Sequence, residues 1–148
     1  AVKAAIARIP ESCRLLVVRS EGPVFQENDG VDCLNLLPGQ VAFFGEAHHN
    51  DEGERLKVPH MGWNGVRTAI DHPLWQGIEP DTLFYFVHSY HVVPDNKAVI
   101  AGTFDYGLTG CAALAQENLF ATQFHPEKSH TAGLTLLKNF LNWDGTCS

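Results

Sequence analysis

The sequence predicts one α/β domain spanning residues 1–148, with a β-rich second half and a helix at its end. Two patterns lead to this prediction. From residue 40 onward, short runs of β-branched and aromatic residues are separated by turn residues, a pattern typical of strands. Near the C-terminus, apolar residues recur at three- and four-residue intervals, which indicates a helix with one buried face. The length suits a single hydrophobic core.

The first part of the chain has weaker patterns. Residues 2–9 predict a short helix that ends at Pro10. The apolar run Leu15–Val18 fits either a strand or the buried start of a helix, because periodicity cannot decide over four residues. Residues 21–30 are rich in Gly, Pro, Asn and Asp and predict a loop.

The predicted strands are residues 40–44, 82–90, 98–104, 110–115 and 119–124. Residues 56–61 lead into a predicted turn at Gly-Trp-Asn-Gly, residues 62–65. Aromatic residues at many positions of 82–90 favour a strand that is covered on both faces. The polar residues between the last two strands indicate a hairpin.

The last element is a predicted helix, for which Ser129 or Thr131 can act as the N-cap. Several residues fall at helical spacing and predict its buried stripe. These are Leu134, Leu137, Lys138 and Leu141, with Leu136 and Phe140 widening the stripe.

Composition and charge argue against several functional classes. A formal net charge of −7 and a pI near 5.5 disfavour nucleic acid or an anionic membrane as the main partner. No apolar run is long enough to span a bilayer. Lys3 and Arg8 interrupt the short N-terminal apolar stretch, so a secretory signal is not expected. We therefore expect a cytoplasmic protein.

Neither the cysteines nor the histidines follow a metal-binding pattern. The chain has four cysteines, which are Cys13, Cys33, Cys111 and Cys147. They lack CxxC spacing and are interpreted as reduced thiols. His48 and His49 lie in a polar loop, and no third ligand follows His88 and His91 at a recognisable spacing. We expect no metal and no cofactor.

The most informative motif is Gln-Phe-His-Pro-Glu-Lys-Ser, residues 123–129, directly after a predicted strand. In an extended segment, residues i and i+2 point to the same side, so His125 and Glu127 can project together, with Pro126 stiffening the turn. A carboxylate that orients an imidazole, which then deprotonates a nucleophile, is the logic of a catalytic triad. His-x-Glu alone is more simply explained as a surface pair at a strand end; the seven-residue context favours the catalytic interpretation.

This motif resembles the segment that carries the triad His and Glu in class I glutamine amidotransferases. Three further stretches narrow the resemblance to the glutaminase subunits of imidazole glycerol phosphate synthase, over about Ser20 to Trp143. They are residues 58–64, residues 84–90, and residues 30–34 followed by 37–39. The resemblance implies a flavodoxin-like α/β fold and a role in histidine biosynthesis. It also implies glutamine as the substrate, hydrolysed to glutamate and ammonia, and a heterodimer in which the partner is a cyclase.

The resemblance assigns expected roles to individual residues. His125 would be the base, Glu127 would orient it, and Cys13 is the cysteine that could align with the nucleophile. The strand end that would line the glutamine pocket is His88, Ser89 and Tyr90. The side chains that would face the cyclase are Trp63, Asn64 and Lys128. Without the motifs, the same residues would be an ordinary strand end, a packed aromatic and a solvated charge.

The sequence departs from the family pattern around Cys13. Glu11 and Ser12 precede it and Arg14 follows it, where the family has glycines that permit a sharp nucleophile elbow, and the Gln beyond the elbow is missing. The βα units with which the family opens are also not recognisable. We therefore expect an N-terminally incomplete domain with poor independent stability, because a parallel sheet without its inner strands exposes apolar faces and unpaired edges.

Two alternatives remain beside the glutaminase. The chain could be a catalytically inactive fragment or degenerate relative that keeps only the surface for partner docking. It could also be a different hydrolase, in which His125 activates Ser89 or Ser129, although Ser129 is better explained as a helix cap. Cys33 matches a non-catalytic part of the family, and Cys111 is expected to be a small core residue.

Overall fold

The structure is a computed structural model that describes residues 15–18, 37–45 and 48–146. Its strands are β1 Leu15–Val18, β2 Gly39–Phe43, β3 His60–Thr68, β4 Thr82–His88, β5 Tyr90–Pro94, β6 Ile100–Asp105, β7 Thr109–Gln116 and β8 Leu119–Thr122. One helix, α1 His130–Asn142, follows, and short 3-10 turns cover Pro73–Trp75, Lys97–Val99 and Pro126–Lys128. Leu15–Val18 is thus a strand rather than a helix start. The predicted helix 2–9 and loop 21–30 lie outside the described residues.

The larger sheet has six strands in the order β1-β8-β7-β6-β3-β4, and β2 and β5 form a separate antiparallel pair. β1 runs parallel to β8, whereas the other neighbours in the large sheet are antiparallel. The parallel register sets Val18 beside Thr122, so both strands end at the same edge of the sheet. The motif of residues 123–129 begins at that edge.

The predicted hairpin and the predicted strand at 40–44 are confirmed. β7 and β8 pair through Gln116 and Leu119, and the tight connection places Glu117 at a positive φ of 51°. The predicted turn at residues 62–65 is wrong, because β3 runs through it and pairs with β4 along the whole stretch, Trp63 opposite Tyr85. Cross-strand pairing therefore outweighed the turn signal of the two glycines.

The predicted strand at 82–90 is broken at Ser89 into β4 and β5, which belong to different sheets. Its predicted cover on both faces is also wrong. Phe84 and Phe86 are fully buried, whereas Leu83, on the other face, is 56% exposed. β4 therefore buries one face in the core and leaves the other partly open to solvent.

The terminal helix is confirmed, and its predicted buried stripe is correct in part. Leu136 is fully buried and Phe140 packs against the core, as predicted, whereas Leu134 and Leu141 are exposed and Gly133 is also buried. The buried face packs on aromatic rings from the sheet and the 3-10 turn. The core includes Trp75, Phe84, Phe86, Phe104, Phe120 and Phe124. Tight ring packing, such as the 4.2 Å centroid separation of Phe84 and Phe124, fixes the ends of β4 and β8 relative to each other.

Candidate active site

His125 lies at the edge of the sheet where β8 ends, and its side chain contacts Glu127. The residue occupies the N-cap position of the Pro126–Lys128 turn, with φ −98° and ψ 100°. Its Nδ1 atom is 2.8 Å from Oε1 of Glu127. The pair meets across a 3-10 turn and not along an extended segment, so the geometric reason given from the sequence is incomplete. Only 5% of His125 is exposed, whereas the Glu127 side chain is 54% exposed.

The electrostatics favour an ionised Glu127. Partial burial raises the pKa of this carboxyl, but hydrogen bonds from His125 and the backbone, together with the charge of Lys128, outweigh it and leave the pKa below its usual value. An ionised carboxylate only accepts hydrogen bonds, so Nδ1 of His125 donates. In the neutral imidazole, Nε2 then carries the lone pair.

Nε2 of His125 is buried and has no hydrogen-bond partner among the described residues. Buried polar atoms without a partner are uncommon and call for an explanation. With Nδ1 fixed by a carboxylate, an unoccupied Nε2 can accept a proton from a nucleophile that reaches it.

The backbone of His125 is tied to β4 by Tyr85 and Ser129, a role that the sequence did not indicate for either residue. The His125 N–H donates to the Tyr85 carbonyl at 2.9 Å. The Ser129 hydroxyl donates to the His125 carbonyl at 2.6 Å and accepts from the Tyr85 N–H at 2.9 Å. Ser129 is at the N-cap position of α1, as predicted, but its side chain makes no capping hydrogen bond. Its hydroxyl is buried and used in this bridge, which disfavours Ser129 as a nucleophile.

Gly133 allows the His125 turn to lie directly on α1. A Cβ atom at this position would come within 1.8 Å of the Pro126 carbonyl oxygen, a distance that no folded structure tolerates. The glycine is thus required by close approach of two backbones. Ser129 and Gly133 are four residues apart, so they lie on the same face of the predicted helix. This spacing was the signal in the sequence that pointed to both residues.

The described residues include one cysteine, Cys111, and its environment disfavours catalysis. Burial raises the pKa of its thiol to about 12, and Sγ donates to the Ala113 carbonyl at 3.3 Å. A thiol with such a pKa is protonated at neutral pH and is a poor nucleophile. Cys111 is buried in β7, in accord with the expected core role. Cys13, Cys33 and Cys147 lie outside the described residues.

His88, Ser89 and Tyr90 form the junction between β4 and β5. His88 is buried, and its Nδ1 lies 2.7 Å from the Tyr90 carbonyl oxygen. The Ser89 carbonyl accepts from the Phe44 N–H at 3.1 Å, which ties the junction to the end of β2. At about 3.3 Å per residue, His88 is roughly 10 Å along β4 from Tyr85, where His125 is attached. The role of this junction in binding remains a prediction.

Trp63 and Lys128 lie on the open face of β3 and β4. The Trp63 ring stacks on His130 at 4.7 Å and meets the Tyr85 ring at 5.7 Å, and Lys128 Nζ is 6.0 Å from the centre of Tyr85. Asn64 does not share this face. Its Nδ2 donates to the Asp105 carbonyl at 2.8 Å, on the opposite side of β3.

Other kinds of site are not evident in the described part of the chain. Among residues 37–45 and 48–146, no three His, Cys, Asp or Glu side chains are grouped in a way that could hold a metal ion. The one α-helix described there is too short and too polar to cross a bilayer.

Most of the chain is similar in sequence to known proteins. Residues 20–143 match the family model of class I glutamine amidotransferases. An imidazole glycerol phosphate synthase subunit HisH 1 of Pseudomonas aeruginosa is 58% identical over 120 residues, which are 81% of this chain and 56% of that protein. The HisH subunit of Hydrogenovibrio crunogenus is 56% identical, over 81% of this chain and 54% of its own length.

The chain spans about half the length of the curated relatives it matches. A crystal structure described as a GMP synthase protein from Thermoplasma acidophilum superimposes with a TM-score of 0.53 and 18% identity. The superposition covers 70% of this chain and 47% of that one. At 18% identity, this similarity shows a shared fold alone. Cys13 lies before the region that the family model matches.

Proposed function

This chain belongs to the class I glutamine amidotransferase family, and from that membership we propose that it is the His- and Glu-bearing part of the amidotransferase subunit of an imidazole glycerol phosphate synthase. It acts as one domain in the cytoplasm and hydrolyses glutamine to glutamate and ammonia. The ammonia passes to a cyclase subunit bound as a heterodimer, in histidine biosynthesis.

The observation that carries the proposal is the state of the two ring nitrogens of His125. Nδ1 is held by Glu127 at 2.8 Å, and Nε2 is buried with no partner among the described residues. This is the arrangement that a general base needs before its nucleophile is in place. In the proposal, His125 is the base, Glu127 orients it, and Cys13 is the candidate nucleophile that attacks the glutamine carboxamide.

The steps follow from this assignment. His125 Nε2 accepts the thiol proton of Cys13, and the thiolate attacks the carboxamide carbon. His125 then returns the proton to the leaving ammonia, and water hydrolyses the thioester to glutamate. Glu127 stays ionised throughout and stabilises the imidazolium. The strand end His88, Ser89 and Tyr90 is proposed to contact the bound glutamine.

The open face of β3 and β4 supports a docking role for this part of the chain. Met61 is 61% exposed, Trp63 43% and Leu83 56%, and they flank Tyr85 and Lys128. Large exposed apolar residues grouped on one face are typical of interaction surfaces. We propose that Trp63 and Lys128 of this face contact the cyclase. Asn64 is kept as a candidate contact, although its side chain lies on the other side of β3.

The same face supports a second candidate function, docking without catalysis. Loss of a triad nucleophile lowers the rate by about 10⁶, and loss of one oxyanion donor by about 10²–10³. A chain in which Cys13 does not reach His125 would bind the cyclase and leave glutamine intact.

The experiment that separates these functions measures glutamate release from glutamine by the purified chain, with and without a cyclase subunit of the family. Cys13→Ala is the test variant and Cys111→Ala is the matched control, because Cys111 is buried away from solvent. Release that the cyclase stimulates, that Cys13→Ala abolishes and that Cys111→Ala retains supports the glutaminase. Release that survives in Cys13→Ala refutes Cys13 as nucleophile.

The same samples test docking through direct binding to the cyclase. Binding without release supports the docking module and excludes the glutaminase. Neither binding nor release would refute both functions and leave the family membership as a statement of ancestry.

A further inference from the structure

A chain of hydrogen bonds joins the half-buried Asn64 to the buried His60 and His88 on the side of β3 opposite Trp63. Asn64 Nδ2 lies 3.2 Å from Nε2 of His60. Nδ1 of His60 lies 2.9 Å from Nε2 of His88, and Nδ1 of His88 lies 2.7 Å from the Tyr90 carbonyl oxygen. This hydrogen-bond chain thus extends from the middle of β3, through the end of β4, to the first residue of β5.

The direction of every hydrogen bond in the chain is determined by its two ends. A carbonyl oxygen only accepts, so His88 donates from Nδ1 to Tyr90, and its Nε2 accepts in the neutral ring. His60 must then donate from Nδ1 and accept at Nε2. Asn64 supplies that donor with one N–H, while its other N–H donates to the Asp105 carbonyl at 2.8 Å.

Packing holds the central ring of this chain in one plane. The His60 ring stacks on Tyr106 at 4.0 Å and on Phe86 at 4.8 Å, with interplanar angles of 19° and 21°. Only 3% of His60 and 2% of His88 are exposed. A ring that is stacked on both faces and bonded at both nitrogens has little freedom to reorient, which is how a fixed polar network specifies one local structure.

The geometry points to a positioning role for His60: we propose that it ties Asn64 to the His88–Tyr90 junction through His88, and so fixes the strand end that is proposed to contact glutamine. The role of the junction rests on the proposed function. The hydrogen-bond chain itself does not, and it can be tested without any activity.

The hydrogen-bond chain requires neutral imidazoles. A proton on Nε2 of His60 or of His88 would replace the acceptor with a second donor, and the hydrogen bond at that atom would be lost. Burial lowers the pKa of His60 to about 3, assisted by the nearby His88 and His48. The other titratable groups around His60 are Tyr106 and His91. Tyr106 stacks on the His60 ring, and His91 packs on the ring of Phe44, which His60 also contacts. Burial lowers the pKa of His91 as well.

The sign of the pH effect follows from this shift. Unfolded His60 binds a proton near pH 6.5, whereas folded His60 does so only near pH 3. Between these values the unfolded state binds more protons, so stability is retained above pH 6.5 and is lost as the pH falls from 6.5 toward 3. A variant that does not titrate at this position loses less stability over the same range.

The first test is nuclear magnetic resonance of the full chain with ¹⁵N-labelled histidine at neutral pH. Two rings, assigned as those lost in His60→Gln and His88→Gln, are expected to be neutral Nδ1–H tautomers with slowly exchanging protons. Nε2–H tautomers or rapidly exchanging protons at both rings would overturn the proposal, whatever the activity of the protein.

The second test measures acid unfolding and glutamine kinetics with the cyclase subunit present. His60→Phe keeps an aromatic ring but removes both hydrogen bonds, and it is expected to raise KM for glutamine about tenfold, the effect of one lost hydrogen bond, with a smaller change in kcat. His60→Gln keeps a donor and an acceptor without a titrating group. It is expected to recover most of the KM and to unfold at a lower pH than the native chain.

His91→Gln is the matched control, because it removes an imidazole from the same cluster outside the hydrogen-bond chain. It is expected to leave KM unchanged. A folded His60→Phe chain with native KM would overturn the positioning role. If the native chain releases no glutamate, the proposed function fails, while the tautomers and the acid unfolding still decide the hydrogen-bond chain.

Discussion

Two buried histidine sites are attached to the same strand, β4, and they differ in how their ring nitrogens are used. His125, attached to Tyr85 in the middle of β4, is fixed at Nδ1 by Glu127 and has no partner at Nε2 among the described residues. At the end of β4, His60 and His88 have a partner at each ring nitrogen. The first arrangement leaves a nitrogen free for proton transfer, and the second uses the rings as structural links. Burial is common to both, so the hydrogen-bond partners make the difference.

The largest effect is expected when the two sites are substituted in parallel. His125→Gln should lower the partner-stimulated release of glutamate by about 10⁴ or more, because a triad without its base retains only residual catalysis. His60→Gln should retain most of that activity. The rate of glutamate release at saturating glutamine measures the activity of both variants. A His125→Gln variant with a near-native rate would show that the two histidine sites do not differ in this way.

A smaller effect is expected at the open face of β3, on the side of this strand opposite His60 and Asn64. Trp63→Ala should weaken binding to the cyclase by about 2 kcal/mol or more, as expected of an aromatic anchor, while stability changes by only about 0.5 kcal/mol. Titration calorimetry and thermal unfolding measure the two quantities. Arg67→Ala is the control on the same strand, since Arg67 is exposed and pairs with Asp81. If Trp63→Ala binds the cyclase as tightly as Arg67→Ala and the native chain do, this face is excluded as the docking surface.

The support beneath His125 is expected to respond to one added methyl group. Gly133→Ala should destabilise the fold by about 1–3 kcal/mol, although alanine is the better helix former by about 1 kcal/mol, because its Cβ would meet the Pro126 carbonyl oxygen at 1.8 Å. Chemical denaturation measures the change. Leu134→Ala, at an exposed position on the same helix, provides the comparison. A higher free energy of unfolding for Gly133→Ala would mean that the Pro126–Lys128 turn shifts easily away from α1. Its contact with Gly133 would then not hold His125 in place.

The smallest effect is expected from the hydroxyl that joins His125 to β4. Ser129→Ala leaves the Tyr85 N–H and part of the His125 carbonyl without a partner, which should cost about 1–2 kcal/mol. Thr135→Ala removes a hydroxyl that bonds only within α1, and little change is expected. Denaturation curves compare the two variants. Similar stability in both would show that backbone hydrogen bonds alone position His125.

Several features of the fold could be predicted because they depend on neighbouring residues. The β7–β8 hairpin has a short polar connection, and the terminal helix has a regular apolar period. The contact of His125 with Glu127 was expected from their spacing, although the path between them is a 3-10 turn. The family resemblance also followed from contiguous motifs, and residues 20–143 match that family.

Other features depended on strands and helices that meet only in the folded chain. The two glycines beside Trp63 signalled a turn, but pairing with β4 kept β3 extended. That pairing also turned Asn64 away from the Trp63 face and toward Asp105. Which part of the apolar stripe of α1 is buried depended on Gly133, where the helix meets the His125 turn. Leu136 is buried, whereas Leu134 is exposed.

The sequence by itself determined the family, the hairpin, the terminal helix and the residues that can act as base and orienting carboxylate, because each is encoded within a few neighbouring positions. Only the tertiary structure decided that Nε2 of His125 has no partner among the described residues, whereas both ring nitrogens of His60 are hydrogen-bonded. The reason is that Tyr85 of β4, which is hydrogen-bonded to His125, and His88, which is hydrogen-bonded to His60, lie on elements far from their partners in the chain. These hydrogen bonds form only after β4 has paired with β3 and met the turn that follows β8.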